Sequence, residues 1–205
     1  MRKICLFTTL GLILISQVQA EKIKAWIILD SDTIEVTLDV SFDSFSQDPD
    51  YEKLQKRIKY IDATGKEMTL RPEEAREVQF TYKGEDIRMV SRRNTLRLNS
   101  PFSSKTYVFL KLEIDGELQM FTYFSHAIGA YNPSTGGMMG GGYATEGHIL
   151  QKRGGELKLL GIRTFRKDMI DYFSDCPALV KRIDEKEFRK NDVEEMVHFF
   201  NSNCR

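Results

Sequence analysis

Four arginines, Arg88, Arg92, Arg93 and Arg97, fall in one short stretch of a chain whose 30 lysines and arginines are balanced by 30 aspartates and glutamates. A guanidinium cluster offers paired hydrogen bonds to carboxylate, sulfate or phosphate groups. An anionic glycan, a lipid head group or an acidic partner would satisfy it. The plainer reading is a solvated strand edge and loop, where charge discourages sheet-to-sheet pairing. Nucleic acid fits poorly, because a balanced chain provides no global attraction to a polyanion.

Other constellations are weaker. His126, His148 and His198 are the three histidines, and none has a second His or Cys at zinc-ligand spacing. His126 and His148 flank a glycine-rich stretch and would have to meet across a strand pair to act together. Ser125-His126 lacks the strand-turn-helix context of a nucleophile elbow. Carboxylates are scattered, so a hydrolytic pair would have to assemble across strands. The stretch 127–147 holds Gly129, Gly136, Gly137, Gly140, Gly141, Gly142 and Gly147. No Lys-Ser/Thr pair follows them, so the phosphate-loop pattern is not met. It reads as a flexible loop between strands, with Met138 and Met139 as an adaptable contact for a partner. No catalytic residue, metal ligand or cofactor site is expected from these patterns.

The amino terminus addresses location. Arg2 and Lys3 precede an apolar run, Ile4–Ile15, and Val18-Gln19-Ala20 presents the small residues that a signal peptidase reads. The run is about a dozen residues, shorter than the roughly 20 of a spanning helix. Residues 1–20 therefore read as a signal peptide cleaved after Ala20, an uncleaved anchor being the alternative. Cleavage removes Arg2, Lys3 and Cys5, leaving 28 basic against 30 acidic residues and two cysteines, Cys176 and Cys204. In an oxidising compartment such a pair reads as a disulfide. A reactive dithiol would favour closer spacing.

The elements that position these residues are mostly strands. Thr33–Val40 alternates without a fault, and Lys22–Leu29 is a strand ending at Asp30-Ser31-Asp32. A short helix at Tyr51–Leu54 precedes a hairpin of 55–62 and 67–70 about Gly65, and one helical turn falls at 71–74. Hairpins of 77–82 with 87–91, and of 106–114 with 117–125 about Asp115-Gly116, follow the turn chemistry of Gly and Asp-Gly. The stretch 91–105 reads as irregular, and 147–153 with 156–162 as a last hairpin. Val108, Leu110, Leu112 and Ile114 are expected on one face. After Arg163 the apolar period becomes helical. A helix is expected over 167–173, and another opens at Cys176-Pro177. A last one follows an apparent capping box, Asn191-Asp192-Val193-Glu194. The last two would run antiparallel and bring Cys176 to Cys204. The fold class is α+β, mainly β: an antiparallel sandwich or open barrel over 21–163, followed by a C-terminal helical segment, 164–205, packed on it.

The strings IILDSDTIEVTLDV, IKYIDATGKEMTLRPEEAREVQFTYKGEDIRMVS, FLKLEIDGELQMFTYF and YFSDCPALVKRIDEKEFRKNDVEEMVHFFNSNC resemble a family of exported β-rich proteins common in Bacteroidetes that have no established activity. The resemblance implies export, a β framework and a helical ending, and brings no catalytic residues. The expectation is a non-catalytic protein of the cell envelope, periplasmic or extracellular, that binds an envelope protein or glycan or serves structurally. It has no nucleic-acid partner and no membrane span after leader cleavage. An envelope hydrolase assembled only in three dimensions, or a small-ligand carrier, are the alternatives.

Overall fold

A computed structural model describes residues 21–43, 47–96, 105–127, 131–132, 137–138, 143–160 and 164–204. The expected leader, Arg97 and Met139 lie outside them. A ten-stranded antiparallel sheet dominates. β1 (Glu21–Ile28) pairs along its length with β2 (Thr33–Val40), with β3 (Ile58–Ile61) and β4 (Glu67–Leu70) beyond it. On its other side β1 meets β5 (Glu77–Tyr82), followed outward by β6 (Glu85–Arg93), β7 (Tyr107–Ile114) and β8 (Leu118–Ala127). A two-stranded ribbon, β9 (Tyr131–Asn132) with β10 (Gly137–Met138), intervenes in sequence before β11 (Tyr143–Lys152) and the short edge strand β12 (Lys158–Leu159) complete the sheet.

The sheet is curled but not closed. Helix α1 (Tyr51–Lys56) lies against β3 on one side and against β7 and β8 on the other. In a flat sheet of this strand order β3 and β8 would stand about 29 Å apart, at about 4.8 Å per step. A helix of 6 residues is only about 9 Å long. The strands must therefore bend around α1. This inner face buries Ile23, Ala25, Ile27, Leu38, Phe80 and Met89 together with Leu54 of α1.

The helical ending backs the same face farther along. Helices α2 (Phe165–Tyr172), α3 (Pro177–Asp184) and α4 (Val193–Asn203) bury Met169, Phe173, Leu179, Ile183 and Val197 against Leu118, Met120 and Leu150 of the sheet. Cys176 caps α3, with Pro177 in its first turn where a missing N–H is harmless. Cys176 and Cys204 are at disulfide distance, their Cα atoms 5.4 Å apart. The opposite face carries a third cluster, Val90, Val108, Leu110, Phe121 and Ile149 under Leu157.

Five local expectations shift. Gln55 and Lys56 continue α1 instead of opening β3. Arg92 and Arg93 belong to β6, because Val108 and Tyr107 of β7 stay paired with them. The strands flanking the glycine-rich stretch run on to Ala127 and back from Tyr143, paired through Gly147 with Tyr123. Finally, a bulge between Leu112 and Ile114 sends Leu112 to the outer cluster and Ile114 to the helical one, so the four alternating residues of β7 do not share a face. At the start of α4 the reciprocal cap is also displaced: the Asp192 carboxylate accepts from the Arg189 N–H at 2.7 Å.

Candidate functional site

Arg88 and Arg92 point to the outer face of β6, on either side of Val90, and enter one groove of 540 Å³ that runs across β5, β6 and β7. Arg88 is gripped by two carboxylates. It donates to both oxygens of Glu77 at 2.5 and 3.0 Å, and to Asp115 Oδ2 at 3.1 Å. Gln79 Nε2 also donates to Glu77, and Gln119 Nε2 donates to the second Asp115 oxygen at 2.7 Å. The same Gln119 uses its carbonyl to accept from Arg92 at 2.8 Å. Arg92 further donates to Gln151 Oε1 and to the Ser91 carbonyl, each at 2.8 Å, and lies 5.2 Å from the centre of the Phe121 ring. One hydrogen-bonded chain thus joins Glu77, Arg88, Asp115, Gln119, Arg92 and Gln151.

The two arginines differ in what neutralises them. The Glu77 hydrogen bond holds Arg88 charged, raising its pKa further above the ordinary arginine value. Burial lowers that of Arg92, whose hydrogen-bond partners are all neutral. Burial would raise the carboxyl of Glu77, but the Arg88 and Gln79 hydrogen bonds outweigh it and hold the group below the ordinary range. Asp115 is held low as well, first by Gln119 and then, against burial, by Arg88. Neither carboxylate is a proton donor near neutrality. At the rim, Asp30, Glu73 and Arg76 have no ion-pair partner among the described residues. The groove therefore offers a guanidinium lacking a carboxylate counterion, a second cation at the rim, and free carboxylates able to accept hydroxyl hydrogen bonds.

Arg93 is exposed on the opposite side of β6 from Arg92 and does not join the groove. Met138 lies on β10, away in sequence from the groove's strands, and only its backbone is described. Thr122, not His126, stands opposite His148 in the β8–β11 register, while His126 pairs with Ala144. His148 Nδ1 is buried without a hydrogen-bond partner among the described residues. Among the described residues no group of His, Cys, Asp and Glu is placed to hold a metal ion, and no helix is long and apolar enough to cross a membrane. Gln119 and Gln151 carry no motif, and only the register of β8 and β11 reveals them as partners of Arg92. The chain was compared with family models, curated proteins and solved structures, and it matches none.

Proposed function

We propose that the chain is exported, loses residues 1–20, and acts in the periplasm or outside the cell as a non-catalytic binding module for an anionic envelope glycan. The carrying observation is Arg92, a half-buried guanidinium held in place by three neutral acceptors and open to a ligand carboxylate or sulfate. Arg76 adds a second cation at the rim, and Asp30 and Glu73 face the groove as acceptors for sugar hydroxyls. A charge-assisted hydrogen bond to a group already fixed in position loses little side-chain entropy on binding. Cleavage after Ala20 leaves all of β1 in place, and the cysteine pair suits an oxidising compartment. A hydrolase working here would need one carboxyl group protonated, and both Glu77 and Asp115 are held ionised by their partners.

The test places a photoreactive amino acid at Tyr107, an exposed groove residue, and crosslinks in intact cells. The expected product is a glycan adduct on a chain beginning at Glu21, lost in Arg92→Glu. The reading fails if the adduct survives that substitution. It fails equally if the purified protein cleaves glycans and Glu77→Gln abolishes the cleavage.

A further inference from the structure

On the face of the sheet opposite the arginine groove, the curl leaves a cavity of 290 Å³ at its mouth, beside α1. Its walls are unlike those of the groove. Tyr51 of α1 stacks on Phe124 of β8 with ring centres 4.6 Å apart, and Tyr82 closes the side next to β5. The charges largely cancel: Lys83 pairs with Asp48 at 3.0 Å and Lys111 with Glu113 at 3.2 Å. Lys111 also sits over the Tyr51 ring, 5.6 Å from its centre. Two hydroxyls are left. Those of Tyr51 and Thr122 line the cavity and have no hydrogen-bond partner among the described residues. Thr122 is only 5 % exposed. Its cross-strand neighbour His148 keeps a buried Nδ1 with no hydrogen-bond partner among the described residues, so behind this wall lies a polar atom that folding removed from water and did not satisfy. Such groups cost stability unless something else meets them.

We propose that this cavity binds one neutral sugar ring. A pyranose has apolar faces for Tyr51, Tyr82 and Phe124 and hydroxyls at its edge for Thr122, Tyr51 and the Glu85 carboxylate, which has no ion-pair partner among the described residues. Burial, aided by Asp48, Glu85 and Glu113, raises the Tyr51 pKa, so the phenol stays a donor. An anion is disfavoured, because Asp48, Glu85 and Glu113 outnumber Lys83 and Lys111. An apolar ligand would leave the hydroxyls unmet. The volume of 290 Å³ is just below the roughly 300–1,000 Å³ of drug-sized sites, which selects a single ring over a chain. The site is independent of the groove reading, since it shares no residue with it.

Nuclear magnetic resonance titration of the purified protein with glucose, galactose and N-acetylglucosamine tests this. At least one sugar should give saturable shifts at Thr122, Tyr51 and Phe124, with a Kd of about 1 mM. Thr122→Val and Tyr51→Phe should each weaken binding roughly threefold to tenfold, the effect of one lost hydrogen bond. Because its hydroxyl has no partner among the described residues, Thr122→Val should melt at the same temperature as the parent or higher. The proposal is overturned if no sugar saturates these resonances. It is also overturned if Thr122→Val binds as tightly as the parent, or if it melts lower, which would make the hydroxyl structural.

Discussion

β8 is held at each end by a side-chain amide from a different part of the chain, and the two ends are secured differently. Near its C-terminal end, Gln55 of α1 accepts from the Phe124 N–H and donates to the Phe124 carbonyl, both at 2.8 Å. At its start, Asn201 of α4 does the same to Leu118 at 2.8 and 2.9 Å. The cause is common: β7 pairs with β8 only from Met120 to Thr122, so the backbone groups beyond need other partners. The surroundings differ. Gln55 is fully buried and belongs to a six-residue helix with no covalent tie. Asn201 is half-buried on an eleven-residue helix beside the cysteine pair. An amide can dock a segment alone where water is excluded, whereas an accessible one needs reinforcement. Gly116 belongs to the reinforced end, since a Cβ there would come within 2.6 Å of the Asn201 side chain.

The comparison breaks most sharply at the helical end. Phe173→Ala, at the centre of the helical cluster, should cost about 3–5 kcal/mol in urea unfolding. Replacing Cys176 and Cys204 by serine frees a chain segment of 28 residues and should cost about 3.5 kcal/mol in the chain-entropy view. A loss near zero would mean that the apolar cluster alone holds α4. Gln55→Ala should cost about 3 kcal/mol, because it strands two backbone groups of β8 away from water. Asn201→Ala should cost only about 1–2 kcal/mol, as water replaces the lost partner. Equal losses in these two variants would erase the distinction between the ends.

The smallest expected effect is on pH dependence. The folded pKa values of Glu77 and Asp115 are depressed. Their contribution is therefore complete above the unfolded carboxylate range, about pH 4, and is lost as pH falls through the lower folded values. Acid titration of stability should show this loss, and Glu77→Gln should flatten it. An unchanged acid limb would mean that the Glu77–Arg88 pair contributes nothing.

Much of the framework was legible because local rules suffice for it. The alternation of Thr33–Val40, the turn at Gly65 with φ of +85°, and Pro177 opening α3 all depend on neighbours in sequence. What was hidden depends on distant strands. Nothing near Gln55 announces a buried amide, because its partners are backbone groups 69 positions away. The placing of β5 beside β1, not β4, is a long-range pairing that no local turn signal specifies. Arg88 and Arg92 were identifiable as a cationic cluster. Which of them lacks a carboxylate counterion is decided by Glu77 on β5, Asp115 in the β7–β8 turn, Gln119 on β8 and Gln151 on β11.

That asymmetry between two arginines on one strand is the centre of the functional account. It is tested most directly by recording the arginine side-chain Nε–H resonances while adding an oligosaccharide of uronic acid units. The Arg92 resonance should move and saturate, while that of Arg88, held between Glu77 and Asp115, should stay in place. Movement of Arg88 alone, or of neither, would contradict the assignment of Arg92 as the ligand-facing charge.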